Sequence, residues 1–202
     1  MRPVALIVLL SIAVASAADK DKDRFAPGTA SSYPGHQTMD GITLAAVPYV
    51  TEDQVKSAFG KVDPNKYGVL PVLVILENGT GKALRLDLQA EFVDPGRRHV
   101  EATPASDVLY IGTQVKRPKL PGTSPYPNPF PRKGPKKGPL NTWEIEGRAF
   151  APKMLPAGES AYGFFYFQTE YIPGSKLYLT GLKDAATGKD YLYFEVPMAE
   201  PK

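Results

Sequence analysis

From Ile42 onward most of the chain is written in period two, the signature of strands whose side chains alternate between faces. Ile42–Tyr49 predicts a first strand, closed by Pro48. Val69–Glu77 (VLPVLVILE) is apolar on both faces, as in a central strand, with Pro71 near its start. Leu84–Phe92 alternates cleanly. Leu84, Leu86, Leu88, Ala90 and Phe92 point one way and Arg85, Asp87, Gln89 and Glu91 the other, which predicts a half-buried antiparallel strand. Val108–Thr113 reads as a further short strand, and Thr142–Phe150, Ala161–Gln168, Lys176–Leu182 and Tyr191–Pro197 as four more. Turn chemistry separates them at Asp94-Pro95-Gly96, Pro156-Ala157-Gly158, Pro173-Gly174 and Thr187-Gly188. Asn78-Gly79-Thr80 has the form of a glycosylation sequon, but Asn-Gly between two strands predicts a hairpin turn.

One stretch departs from period two. Thr51 stands as an N-cap ahead of Glu52 and Asp53, acids suited to the positive end of a helix dipole. A short helix to Phe59 follows, stopped by Gly60, with Val55, Ala58 and Phe59 inward. The elements together predict an all-β fold: an immunoglobulin-like antiparallel β-sandwich of 7–8 strands with one short helix and a long Pro-rich insertion. A partly open barrel is the competing arrangement.

The ends of the chain set the compartment. Arg2 and the apolar run Val4–Val14 precede Ala15-Ser16-Ala17, a small-residue cleavage site, so residues 1–17 read as a secretory signal peptide. The run is shorter than the roughly 20 residues of a membrane span, and no transmembrane helix is expected in the mature chain. Residues 18–40, rich in alternating charge and then in Pro, Gly and Ser, read as a flexible leader, and 41–202 as the folded domain. The chain has no Cys, which excludes disulfide scaffolds, thiol nucleophiles and Cys-ligated metals. An exported domain without disulfides points to a bacterial periplasmic or extracellular setting.

Charge changes the picture most. The total is only +3, from 24 basic and 21 acidic residues. The stretch 116–140 (KRPKLPGTSPYPNPFPRKGPKKGPL), however, holds eight prolines, seven basic residues and no acid. Without those seven and Arg2, 16 basic residues face 21 acidic ones, a balance of −5. Prolines 125, 127, 129 and 131 alternate with Tyr126, Asn128 and Phe130, which dictates extended backbone and excludes helix. Lys116, Arg117, Lys119, Tyr126, Phe130, Arg132, Lys133, Lys136 and Lys137 are therefore candidate binding residues for an anionic envelope polymer or an acidic protein. A solvated loop whose Tyr126 and Phe130 pack on the body is the plain alternative. Export removes nucleic acid as a partner.

Alternation also groups aromatic residues. Tyr162, Phe164 and Tyr166 share one face of their strand, as do Tyr178 with Thr180, and Tyr191 with Tyr193 and Glu195. If the three strands are neighbours, the six aromatics form a platform that either stacks on sugar rings or is roofed by the insertion.

Other motifs carry less. Gly158-Glu159-Ser160-Ala161-Tyr162-Gly163 has one residue too many for a hydrolase elbow and leads from a turn into a strand. Gly181 to Gly188-Lys189-Asp190 is too long for a phosphate-binding loop and lacks its Ser or Thr. Glu144 and Glu146 are expected on the wet face of a strand rather than as a glycosidase pair. His36-x-x-Met39 has copper-ligand chemistry but sits in the leader, with His99 and Met154 far away in sequence. No catalytic residue, metal ligand or cofactor is assigned.

VLPVLVILEN (69–78), LPAGESAYGFFYF (155–167) and YLYFEVP (191–197) resemble a broad group of bacterial exported proteins with immunoglobulin-like sandwich domains. The resemblance implies a fold and a compartment and transfers no site residues. The expected role is a non-enzymatic binding or structural module of the bacterial envelope that uses the basic strap. The alternatives are a carbohydrate-binding accessory module and a periplasmic metal chaperone.

Overall fold

The computed structural model describes residues 25–112 and 138–199. The signal segment, residues 18–24 of the leader and the Pro-rich insertion up to Lys137 lie outside the described residues. The described chain is mostly antiparallel sheet: β1 (His36–Met39), β2 (Ile42–Pro48), β3 (Leu70–Asn78), β4 (Leu84–Val93), β5 (His99–Thr103), β6 (Met154–Leu155), β7 (Ser160–Phe167), β8 (Lys176–Asp184) and β9 (Phe194–Pro197). Three short helices accompany it, α1 (Glu52–Phe59), α2 (Ala105–Val108) and α3 (Trp143–Gly147).

Eight strands follow the order β1-β2-β3-β7-β5-β4-β8-β9, with β6 attached to β4 off this path. β5 joins two walls. Its residues His99–Glu101 pair with β4, and Ala102 and Thr103 pair with Phe167 and Tyr166 of β7. At the far ends β1 and β9 face each other across a seam. There Glu195 N donates to Gln37 Oε1 at 3.1 Å, and Gly35 approaches the Pro197 carbonyl too closely for any side chain. The sheet is thus nearly closed and barrel-like. All-β is the fold class, and the arrangement stands nearer to the partly open barrel than to two separate layers.

Two cores lie on the two faces of the β2-β3-β7 wall. Inside the barrel, Ile42, Leu44, Val72, Val74 and Leu76 meet Leu84, Leu86, Phe92, Leu177, Leu179, Phe194 and Val196. On the outer face, Leu73, Ile75, Phe164 and Tyr166 are covered by Val55, Ala58 and Phe59 of α1, Val108 of α2 and Ile145 of α3. β3 is accordingly buried on both faces, as its unbroken apolar run predicts. α1 also forms as read from the sequence. Thr51 and Gln54 make a reciprocal capping box, and Gly60 ends the helix at φ +63°.

Several local expectations are corrected. Thr142–Phe150 contains α3 rather than a strand, because five residues of alternation fit one helical turn equally well; Ile145 turns inward and Trp143 outward. Glu144 and Glu146 therefore sit in the first turn of that helix. Residues 108–112 continue from α2 into a turn. The leader is packed from Phe25 onward. Phe25 lies 5.5 Å from Phe164 between ring centroids, Ala30 N donates to Glu77 Oε1 at 2.7 Å, and residues 36–39 form β1. A few apolar anchors, Phe25, Ala30, Tyr33 and Met39, outweigh the polar composition around them. Asn78-Gly79 turns the chain without making a hairpin, since β3 pairs with β2 and β7, and β4 with β5, β6 and β8.

Candidate functional site

The nine candidate residues of the strap, Lys116, Arg117, Lys119, Tyr126, Phe130, Arg132, Lys133, Lys136 and Lys137, lie outside the described residues. The residues that flank it are described, and they meet. Gly138 N donates to Leu109 O at 2.7 Å, and Pro139 lies against Gly112. Both ends of segment 113–137 therefore arise from one point beside α2, on the side of the β2-β3-β7 wall that the helices cover.

The six aromatics expected to share a face are divided between two places. β7 lies between β3 and β5, whereas β8 lies between β4 and β9, so the strands that carry them are not neighbours. On β7, Phe164 and Tyr166 are each 1% exposed. Phe164 packs edge-on to Tyr49 at 4.9 Å and against Phe59 at 4.8 Å. The Tyr166 hydroxyl donates to Ile145 O at 2.7 Å, and burial pushes its phenol far above the ordinary range. Tyr49 is pushed up to about 12, mainly by burial and secondly by Tyr33. Arg148 reaches into this nest, with its guanidinium 4.8 Å from the Phe25 ring and Nη1 donating to Ser57 O. Desolvation lowers its pKa, with Glu144 acting in the opposite direction. Tyr162 is more open and its hydroxyl donates to Phe25 O at 3.3 Å. These groups lock the N-terminal arm, α1 and α3 onto the wall. They are roofed by described elements, which removes Phe164 and Tyr166 from any sugar platform.

Tyr178 and Tyr193 remain together on the opposite wall, their ring centroids 5.2 Å apart with a 34° tilt. Tyr191 instead packs against the interior cluster, and its N–H donates to Leu182 O. The Tyr178–Tyr193 pair lines an open groove of about 610 Å³ beside the β4–β5 turn, together with Asp94, Arg97, His99, Lys176 and Glu195. Polar contacts frame it: an ion pair from Lys176 Nζ to Glu195 Oε1 at 3.1 Å, and a hydrogen bond between His99 Nδ1 and Glu91 Oε2 at 2.6 Å. Asp94 is held by Arg98, whose backbone N–H lowers the carboxyl pKa most, assisted by its guanidinium. Sequence reasoning missed Arg97 and Lys176, and grouped Glu195 with Tyr193 without giving it a role. The signal was present in the shared parity of Lys176 with Tyr178 and of Tyr193 with Glu195.

A second opening of about 560 Å³ lies where β4 and β7 diverge beyond β5. Stacked Phe150 and Phe165 form part of its lining, with Gln89, Glu101 and Lys153 also present. Residues 148–155 bridge the gap below it: Phe164 N donates to Arg148 O at 2.8 Å, and Leu86 N to Lys153 O at 2.8 Å.

The copper motif does not converge. His36 is exposed on β1, its Nδ1–H donating to Tyr33 O, while Met39 packs on the barrel interior. Among the described residues, no three His, Asp or Glu side chains stand close enough to hold a metal ion. No helix among them is long and apolar enough to cross a membrane. Ser160 opens β7 directly from the turn at 156–158, without the helix that a hydrolase elbow needs. No protein-family model matches the chain, and no curated protein matches it.

Proposed function

We propose that the protein is an exported, non-catalytic binding or structural module of the bacterial envelope that contacts an anionic partner through the basic strap Lys116–Lys137. The observation that carries this reading is the separation of charge. Seven cations and no acid occupy residues 116–137, whereas residues 25–112 and 138–199 hold 12 basic and 17 acidic side chains. Cations gathered on one segment give a local field that the near-neutral total conceals, and such a field steers anionic partners. The joined anchor at Leu109, Gly112, Gly138 and Pro139 supports the reading, because both ends of the segment that carries the seven cations leave the body at one place. An acidic protein or an anionic envelope polymer is the partner class. Export rests on the signal-like residues 1–17 and, with the absence of Cys, on a periplasmic or extracellular bacterial setting. We place the chain beside bacterial exported proteins with immunoglobulin-like sandwich domains, with β5 as the strand at which two such layers would join.

The test is retention of the mature chain on alginate and on poly-glutamate resins. Retention at low salt that falls steeply as salt rises is expected, since exposed charges are screened within about 10 Å at 0.1 M. Changing all seven strap cations to Gln should abolish it. Equal retention by that variant refutes the proposal. The carbohydrate alternative loses its six-residue platform and retains one structural basis, the Tyr178–Tyr193 groove.

A further inference from the structure

We infer that the groove beside the β4–β5 turn is a binding site for a neutral glycan, with Tyr178 and Tyr193 as the surface on which a sugar ring stacks. The register builds it. Tyr178 on β8 stands directly between Glu91 of β4 and Glu195 of β9, and Tyr193 precedes β9 one position from the Leu179–Phe194 pair. Cross-strand placement therefore fixes the Tyr178 ring beside two carboxylates, and Tyr193, in the connection just before β9, packs against that ring. Unlike Phe164 and Tyr166, Tyr193 is 49% exposed. A Tyr ring offers an apolar face with a polar tip, which matches a sugar's apolar C–H face and hydroxyl rim.

The polar frame decides which ligand fits. Lys176 is paired with Glu195, Glu91 with His99 and Asp94 with Arg98, so these side chains are already oriented. Arg97, at a left-handed turn position of φ +65°, makes no ion pair among the described residues. Within the groove lining the acids Asp94 and Glu195 balance Arg97 and Lys176. No net field selects for an anion or a cation, while donors and acceptors of both kinds are present. Hydroxyl groups both donate and accept, so a polyol uses such a frame fully. An extended peptide is less suited. The neighbouring edge of β9 faces β1, and Glu195 N is already taken by Gln37 Oε1. The groove's volume of about 610 Å³ falls in the usual range for small-ligand sites, about 300–1,000 Å³.

The residues of this site are distinct from those of the strap, and the two should differ in salt dependence. Isothermal titration of the mature chain with chitohexaose, cellohexaose and maltohexaose should show binding of at least one, with affinity unchanged up to about 0.5 M NaCl. Tyr193→Ala and Tyr178→Ala should each weaken it about tenfold, and Tyr193→Phe should preserve it. Thermal midpoints of the variants establish that each is folded. Binding of none of the three glycans overturns the inference, as does undiminished binding by a folded Tyr178→Ala/Tyr193→Ala double variant. The variant with Gln at the seven strap positions should bind the glycan normally. Loss of glycan binding in that variant also overturns the assignment, whereas its loss of alginate retention concerns the strap alone.

Discussion

Asn78 shows how one residue can carry more than its local motif announces. Its side chain is buried; Nδ2 donates to the carbonyls of Lys82, Leu155 and Pro156, and Oδ1 accepts from the backbone and hydroxyl of Thr80. The Asn-Gly dipeptide correctly marks a turn, but no local rule reveals that the turn passes between walls or that its amide ties in residues 155–156. The same buried amide nitrogen is what a sugar transferase would need to reach at the sequon. Asp184 is a second such residue, and it has a pH consequence. Its Oδ1 accepts from the N–H groups of Ala186 and Thr187, and Oδ2 pairs with Lys82 Nζ at 3.2 Å. The Thr187 N–H first, then Lys82, hold the carboxyl at about 2, well below the usual carboxylate range. The folded state thus binds the proton less readily than the unfolded one. Its contribution to stability is present above about pH 4 and is lost as pH falls through about 2. Denaturant midpoints of the native chain and Asp184→Asn should differ most at neutral pH and converge between pH 4 and 2. A gap that stays constant across that window would remove Asp184 from the acid response. Asp94, lowered mainly by the Arg98 N–H, titrates in the same direction, so the paired comparison isolates Asp184.

At the scale of elements, legibility follows the length and redundancy of the signal. α1 is announced by a cap, two first-turn acids and a glycine stop, and these agree with an apolar face of Val55, Ala58 and Phe59. β3, β4, β7 and β8 have eight to ten residues each and stand near their predicted positions. Residues 142–150 misled because the segment does two things in nine residues. It makes one helical turn and then runs beside β7, where Ala149 bridges Phe164 in parallel. That second contact explains Gly163. A Cβ there would stand 2.4 Å from Phe150 Cα and 2.7 Å from Phe150 N, and both atoms are backbone that cannot swing aside. Gly163→Ala should displace residues 148–150 and weaken the bonds between Arg148, Phe150 and Phe164, at a cost of about 1–3 kcal/mol. A lower urea midpoint with an unchanged denaturant slope is the expected result. An unaltered midpoint would mean that the segment is not packed against β7.

The whole molecule depends on which strands are neighbours, and alternation within a strand does not contain that information. Period two correctly placed Tyr162, Phe164 and Tyr166 on one face of β7 and Leu177 and Leu179 on the inner face of β8. The six-aromatic platform required β7 and β8 to be adjacent, and β5 and β4 separate them. Charge was legible without any pairing, because it needs only position along the chain. These two facts meet in the strap. The buried aromatics that a Pro-rich insertion was expected to roof are covered by Phe25, Tyr49 and Phe59, all outside the insertion. The outer core is thus covered by described residues outside 113–137, and the flanks of that segment already touch at Leu109 and Gly138. Replacing 113–137 with a Gly-Ser linker of about five residues should close that gap without strain. The mature chain's 23 cationic side chains would fall to 16 against 21 acidic ones. At pH 7 the shortened protein should move from a cation exchanger to an anion exchanger, while its thermal midpoint stays within about 4 °C, the shift that roughly 1 kcal/mol produces in a domain of this size. A large drop in that midpoint would show that the strap is part of the packed body, and its cations would then have to be treated as structural rather than as a free contact surface.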